Sequence, residues 1–401
     1  MSKSDRLIYL VSLANDKALN ELDRLNGLKT YEFVMGSKFI PTFLKKSLRL
    51  QKLYVFLIVI SSPLWNLCFT LRALIDGIRY TKTSFKGEKL FLLASPALPK
   101  VTKNAGIEER ENDRWLEIPW LHYSDIKDKR YISVFNLISV SDVLSSYVDA
   151  VSVVFYLYGT KGYRFTLPSL KAYRWFIYNK AIRAVPLDVE LFFSNHKNTF
   201  AVLFDNLPHH HKTLIQHGTE IIMENPNNIN FPFYRYDEHY GFWSENLPYK
   251  YKHLSCQYCF TEKERVAMSM SIVNCLPETH IVGYSLKNFN ENLEGDSAIL
   301  IIGYYSLFFE REKRLLSMLS NCGIKVYLKN HPIFPPSVYD KIINQYNFTL
   351  LNGPRFPKVD VVFTYSSTLA LEYEDLGAKI ILYDKMDDEE LKLEVKRVVD
   401  G

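Results

Sequence analysis

This sequence predicts an α/β protein of two doubly wound, Rossmann-like domains facing across a cleft. Three observations predict it. The chain has 401 residues, too many for one compact core and suited to two domains of roughly 100–200 residues. Short apolar runs alternate with helical stretches along its length, the pattern of parallel strands joined by helices. After Gly283 that pattern restarts with cleaner βα units. A hydrophobic content of 47% marks a globular chain, not a disordered one.

The elements follow in order. In the first half, strands are expected near Arg6–Leu13, Lys29–Met35, Lys89–Ala94, Tyr131–Phe135, Val189–Ser194 and Thr213–His217, with a long helix near Thr42–Tyr80. Residues 151–165 fit helix and strand alike. The polar stretch Ser285–Asp296 reads as the linker, dividing the chain into 1–284 and 285–401. Beyond it come strand Ser297–Tyr304, helix Glu310–Leu319, strand Ile324–Lys329, helix Ser337–Asn344, strand Val359–Thr364, helix Thr368–Leu376 stopped by Gly377, and strand Lys379–Tyr383.

Open α/β sheets bind ligands at the carboxyl ends of their strands. Three such ends carry polar residues: Gln216-His217-Gly218, Lys329-Asn330-His331-Pro332 and Ser366-Ser367-Thr368. In the third, small hydroxyl residues lead straight into a helix. They can cap it, and the free N–H groups at a helix start suit a phosphate. A plain cap without ligand fits the same residues. Glu372, in the next turn or so, could reach a ribose hydroxyl. His331 can donate to a phosphate oxygen, with Lys329 adding charge and Pro332 setting the chain direction. A turn residue is the other reading of His331, and a polar cap the other reading of His217.

Here a resemblance appears. LKNHPIFP followed by VDVVFTYSSTLALEYEDLGAKIILYD resembles the carboxyl-terminal donor domain of bacterial GT-B transferases, over roughly residues 280–385. Two groups share the HP and SS pair: transferases using CMP-sialic acid or CMP-3-deoxy-octulosonic acid, and CDP-glycerol or CDP-ribitol polyol-phosphate transferases. The resemblance implies that His331, Ser366 and Ser367 hold donor phosphates and that Glu372 serves the ribose. IQHGTEI is similar to the HGT element of the polyol-phosphate group, which implies His217 as general base. Glu220 and Asp205 are reserve catalytic candidates. The departures are also clear: the acidic base motif of several sialyltransferases is absent, Gln216 replaces a tryptophan, and Thr364 replaces an aspartate.

The resemblance implies an inverting glycosyltransferase of bacterial surface polysaccharide synthesis: capsule, O-antigen or lipooligosaccharide. It would take a cytidine-nucleotide sugar and a glycan or lipid-linked glycan acceptor. A polyol-phosphate transferase is the alternative, and a non-catalytic scaffold the third reading. No cofactor is expected. Helix dipoles and side chains can neutralise the leaving phosphate without a metal. His209-His210-His211 reads as a solvated turn, and Cys256 and Cys259 as buried thiols without a second pair to make a zinc site. A net charge of +5 without a dense basic stripe gives no nucleic-acid partner. Five cysteines and a start lacking a signal peptide's apolar core point to the cytoplasm. Leu53–Leu71 carries no charge and has basic flanks (Lys45, Lys46, Arg49 and Lys52 before it, Arg72 and Arg79 after). A buried or partner-facing helix, a helix lying on the inner face of an anionic membrane, and a span interrupted by Ser61, Ser62, Pro63 and Asn66 all fit it.

Overall fold

The computed structural model describes residues 5–14, 18, 40–41, 43–44, 47–80, 85–93, 98–120, 130–161, 168–194, 200, 202–205, 207, 209–216, 218–222, 234–284, 298–320, 322–331, 336–353, 355–365, 367–384 and 386–400. It separates into two compact units: Met1–Ile221 with Pro226–Val282, and Ile222–Asn225 with Gly283–Gly401.

The first unit is built on a seven-stranded sheet. Its strands are β1 (Lys89–Leu93), β2 (Arg114–Glu117), β3 (Tyr131–Ile132), β4 (Glu190–Phe193), β5 (Lys212–Ile215), β9 (Cys256–Cys259) and β10 (Glu278–Ile281). The order is β10-β9-β5-β4-β1-β2-β3, and the pairings are all parallel. The chain starts at the centre, winds one way through β2 and β3, then returns and winds the other way. A parallel sheet must be covered on both faces, and alternate side chains do this. Leu90, Leu92, Leu191 and Phe193 join the large core, while Phe91, Trp115, Phe192 and Ile215 form a separate aromatic cluster. A small sheet of β6 (Ile221–Ile222), β7 (Tyr234–Asp237) and β8 (Phe242–Glu245) follows β5, in the order β6-β8-β7.

After the helical residues 5–14, the helices described in this unit are α1 (Leu48–Arg79), α2 (Leu98–Asn104), α3 (Val140–Lys161), α4 (Ala172–Arg183), α5 (Val202–Asp205) and α6 (Glu262–Ser271). Ser47 caps α1. The helix runs unbroken through Ser61, Ser62, Pro63 and Asn66, and the buried Asn66 and Thr70 satisfy their side chains on carbonyls one turn back. Residues 151–161 are helical, within α3.

The expected strand Arg6–Leu13 is a correction: residues 5–14 are helical. Asp5, Ile8, Tyr9, Ser12 and Leu13 are the buried positions, spaced as one helical face. The expected strand Lys29–Met35 lies outside the described residues.

The second unit holds β11 (Ala298–Gly303), β12 (Lys325–Asn330), β13 (Thr349–Leu351), β14 (Val361–Thr364) and β15 (Lys379–Leu382). All are parallel, in the order β13-β12-β11-β14-β15. Its helices are α7 (Tyr305–Leu319), α8 (Asp340–Ile343), α9 (Thr368–Asp375) and α10 (Asp388–Asp400). Ile299 and Ile301 face one core and Ala298, Leu300 and Ile302 the other. Gly377, at φ +88°, ends the α9 region in the conformation glycine adopts freely. Both units are thus doubly wound α/β layers.

Candidate functional site

In the second unit the winding direction reverses between β11 and β14. The strand-end crevice at such a switch is where doubly wound sheets bind ligands. Sheet order brings three adjacent strand ends there: Asn330-His331 after β12, Gly303-Tyr304 after β11, and Thr364-Tyr365 leading to Ser367 after β14.

His331 donates its backbone N–H to the Gly303 carbonyl at 2.9 Å. Its imidazole lies 4.7 Å from the Tyr304 ring. Burial pushes the imidazole below its ordinary 6.5, so it is neutral at physiological pH. Tyr304 also meets Tyr365 edge-on at 5.6 Å. Ser367 is the N-cap of α9, its hydroxyl accepting from the Ala370 N–H at 3.2 Å, and Thr368 is the first helical residue. Glu372 is buried one turn further on. Pro332 and Ser366 lie outside the described residues.

Lys329 is not aimed at this crevice. Its ammonium donates to the Gly353 carbonyl at 2.7 Å and stands 4.5 Å from the Phe356 ring centre. The expectation that it adds charge at a phosphate is corrected by that contact with the neighbouring loop.

Beneath the crevice sits a residue that the strand-end reading passed over. Glu312, on α7, is fully buried. Its carboxylate accepts from the Tyr304 N–H at 2.7 Å and the Tyr339 hydroxyl at 2.6 Å, and the Tyr383 hydroxyl is 3.3 Å away. Burial raises its pKa above the ordinary value. A Cβ at Gly303 would meet the Tyr339 hydroxyl at 2.7 Å and Glu312 Oε1 at 3.1 Å, which explains the glycine. The network fixes the turn after β11, and with it the carbonyl that holds His331. No local signal marks Glu312 within the charged run EREKR.

In the first unit, His217 lies outside the described residues, but its flanks are defined at the carboxyl end of β5. Gln216 is buried. Its side chain donates to the Gly218 carbonyl (2.9 Å) and Glu264 (2.8 Å) and accepts from the Phe260 N–H (3.0 Å). Glu264 also accepts from the Glu220 N–H at 3.1 Å. Burial raises the Glu264 carboxyl. Gln216 and Glu220, on either side of His217 in the chain, are therefore both tied to Glu264. Thr261 caps α6 through the Glu264 N–H, and T-x-x-E is the sequence signal that could have flagged Glu264.

Two catalytic candidates are corrected. Glu220 is buried and accepts from the Ser271 hydroxyl at 2.9 Å, an inward structural contact. Asp205 is buried and accepts from the Lys252 and His253 N–H groups, at 3.0 and 2.7 Å, and from the Tyr249 hydroxyl. It ends α5 ahead of β5, and the loop it ties leads into β9. It thus sits at the amino edge of the sheet, the length of β5 from the Gln216 turn. That length is roughly 13 Å for four residues at about 3.3 Å each. His210 is also corrected: it is buried, with Nε2 3.2 Å from the Val185 carbonyl, and is not solvated. Cys256 and Cys259 are buried in β9, their thiols pushed up to about 11 and about 12. Among the described residues no group of three or more His, Cys, Asp and Glu could hold a metal ion.

A cavity of about 200 Å³ opens at the carboxyl ends of β2 and β3. Arg72, Asp76 and Arg79 of α1 line it with Glu117, Trp120 and Ser133. Trp120 has φ +58°, a strained backbone for a bulky residue, of the kind that gathers at functional sites. Its indole N–H donates to Asp76 at 3.0 Å, and the Arg72 guanidinium lies 5.2 Å from its ring centre. Carboxylates, guanidinium groups and aromatic edges in one small cavity suit a hydroxyl-rich ligand.

No family model and no curated protein matches the chain. Among solved structures it is similar to CalG4, the calicheamicin glycosyltransferase, at 10% identity over 79% of this chain and 91% of that one, with a TM-score of 0.39. It is also similar to the UDP-N-acetylglucosamine 2-epimerase from Rickettsia bellii (11%, 78% and 87%, TM-score 0.36) and to Acinetobacter baumannii MurG (10%, 78% and 92%, TM-score 0.35). At this level the likenesses carry no inference about this chain's chemistry.

Proposed function

We propose that this chain is a nucleotide-sugar-dependent, inverting glycosyltransferase of the GT-B kind, with a cytidine nucleotide on its donor and a bacterial surface glycan as acceptor. The observation that carries the reading is the crevice of the second unit, where His331 and the Ser367-capped helix flank one topological switch point. The donor phosphate sits against the α9 N-terminus, where free N–H groups and the helix dipole favour an anion. His331, neutral and close by, donates to a phosphate oxygen. Together they stabilise charge as the nucleotide leaves.

His217 takes the proton from the acceptor hydroxyl as its oxygen attacks the anomeric carbon. The bond from that carbon to the donor phosphate oxygen breaks, and the nucleotide leaves with the electron pair. The cavity beside Glu117 and Trp120 holds acceptor sugar. It shares the carboxyl edge of the sheet with Gln216 at the end of β5, three strand spacings away, roughly 14 Å.

The test offers CMP-sugars, CDP-polyols and UDP-sugars in parallel, with release of the free nucleotide and the phosphorus content of the product as readouts. CMP release with a phosphorus-free product is the expected result. Turnover of CDP-glycerol into a phosphodiester makes the chain a polyol-phosphate transferase. Turnover of UDP-sugars alone overturns the cytidine assignment. Binding of none of the three overturns the enzyme reading.

A further inference from the structure

Helix α1 is amphipathic in the reverse sense. The residues it buries are mostly small or polar: Val55, Val59, Ser62, Asn66, Thr70 and Ala73. Its large apolar residues face outward. Leu53, Leu57, Ile60, Leu64, Leu71 and Ile78 are exposed, Leu64 by 67% and Ile78 by 87%. Their spacing of three, four and seven keeps them on one face over seven turns. Trp65 is exposed beside them, its indole N–H donating to the Ser61 hydroxyl at 3.2 Å. Helix α3, packed along α1, likewise exposes Val140, Leu144, Val148 and Phe155. Both helices are long and apolar enough to cross a bilayer by length and composition.

Water does not favour such a surface, and contiguous apolar patches of this extent mark a contact site. Small inward residues with large outward ones are the arrangement of a helix whose outer solvent is hydrocarbon. Exposed Arg49 and Lys52 stand at one end and exposed Arg72 and Arg79 at the other, with no charge from Leu53 to Leu71. Basic ends around an apolar middle complement anionic headgroups around acyl chains.

We infer that the first unit docks on an anionic bilayer leaflet with α1 lying in the plane of the interface. The packing of α1 selects this over a span. Val55 and Val59 join a core cluster with Val154 near one end, while Phe69, Ala73 and Leu74 meet the main core near the other. A helix held along its inner face leaves only its outer face for lipid. The inference stands on helix geometry and does not depend on the glycosyltransferase reading. Combined with that reading, it brings the cavity lined by Arg72, Asp76 and Arg79 to the membrane surface, where a lipid-linked acceptor is held.

The test uses the full chain without nucleotide, sedimented with vesicles of phosphatidylcholine alone or mixed with phosphatidylglycerol. Binding to the anionic vesicles that weakens with added salt is expected. The Leu57→Glu/Leu64→Glu variant should bind them roughly tenfold more weakly or worse, with an unchanged melting temperature because both residues are exposed. Quenching of Trp65 fluorescence, taken as the difference from Trp65→Phe, reports depth. Stronger quenching by lipids brominated near the headgroup than near the chain ends supports the in-plane position, and the reverse overturns it. Equal sedimentation of variant and parent overturns the lipid face. A lipid-free dimer that the double variant turns into a monomer, with no vesicle binding by either, also overturns it and makes the face an interface between copies.

Discussion

Replacing Glu312 by Ala removes the acceptor for the Tyr304 N–H at 2.7 Å and the Tyr339 hydroxyl at 2.6 Å. Both donors stay buried, because Tyr339 is fully buried and Glu312 is enclosed. The Tyr304 N–H loses its acceptor, at about 1–3 kcal/mol for a buried donor, while the Tyr339 hydroxyl keeps Asn330 Oδ1 at 3.3 Å. For a unit of this size that is a fall of roughly 5–15 °C in melting temperature. Glu312→Gln keeps an acceptor oxygen and should lose about 1 kcal/mol. Burial lifts the Glu312 carboxyl above its ordinary 4.5. Between the unfolded and folded pKa values the folded chain therefore holds a proton that the unfolded chain has released. Its contribution is fully present below pH 4.5 and is lost as pH rises through the folded pKa. Urea unfolding at a series of pH values, for parent and both variants, measures all of this. The Gln variant should lack the parent's decline in stability over that window. If Glu312→Ala costs less than about 1 kcal/mol, or the pH dependence is the same in parent and Gln variant, the carboxylate does not anchor this crevice.

His331→Ala should weaken CMP binding or turnover by about 1–3 kcal/mol, the scale of a charge-assisted hydrogen bond; unchanged calorimetric affinity and unchanged turnover would show the donor site to be misplaced. His217→Ala should cut turnover by roughly 10²–10⁴-fold while leaving donor affinity intact, and loss of donor binding instead would make that imidazole a phosphate ligand. Asp205→Ala should lower stability by about 1–3 kcal/mol through loss of its hydrogen bonds to the Lys252 and His253 N–H groups, which belong to exposed residues, with little change in turnover for the folded fraction; a folded, inactive variant would return Asp205 to the chemistry. Glu117→Ala should raise the acceptor KM roughly 10- to 100-fold with CMP affinity unchanged, and an unchanged KM would remove the cavity from the acceptor path.

Much of the second unit was legible because its strands are short apolar runs cut off by polar residues. The run SAILIIGYY contains β11, and VDVVFT contains β14. The Ser367 cap was legible from a hydroxyl ahead of a helical stretch. The amino-terminal helix was misread because Ile8, Tyr9, Ser12 and Leu13 lie in a mixed apolar run whose period is visible only once burial is known. Glu312 was invisible for another reason. Its partners Tyr339 and Tyr383 lie 27 and 71 residues away.

The sequence by itself determined the alternation of strand and helix, the restart after Gly283, and the strand ends that carry His331 and Ser367, because these depend on residues adjacent in the chain. Only the tertiary structure decided which acidic residues are available for chemistry. Glu220 meets Ser271 across 51 residues, and Asp205 meets the His253 backbone across 48. Contacts of that range follow from sheet order, which local spacing does not encode. The tertiary structure also decided which side of α1 faces outward. Its sequence shows an uncharged run, but packing turns Ser62, Asn66 and Thr70 inward and leaves leucines at the surface. A helix settles its facing by the neighbours it finds, and those neighbours come from distant parts of the chain.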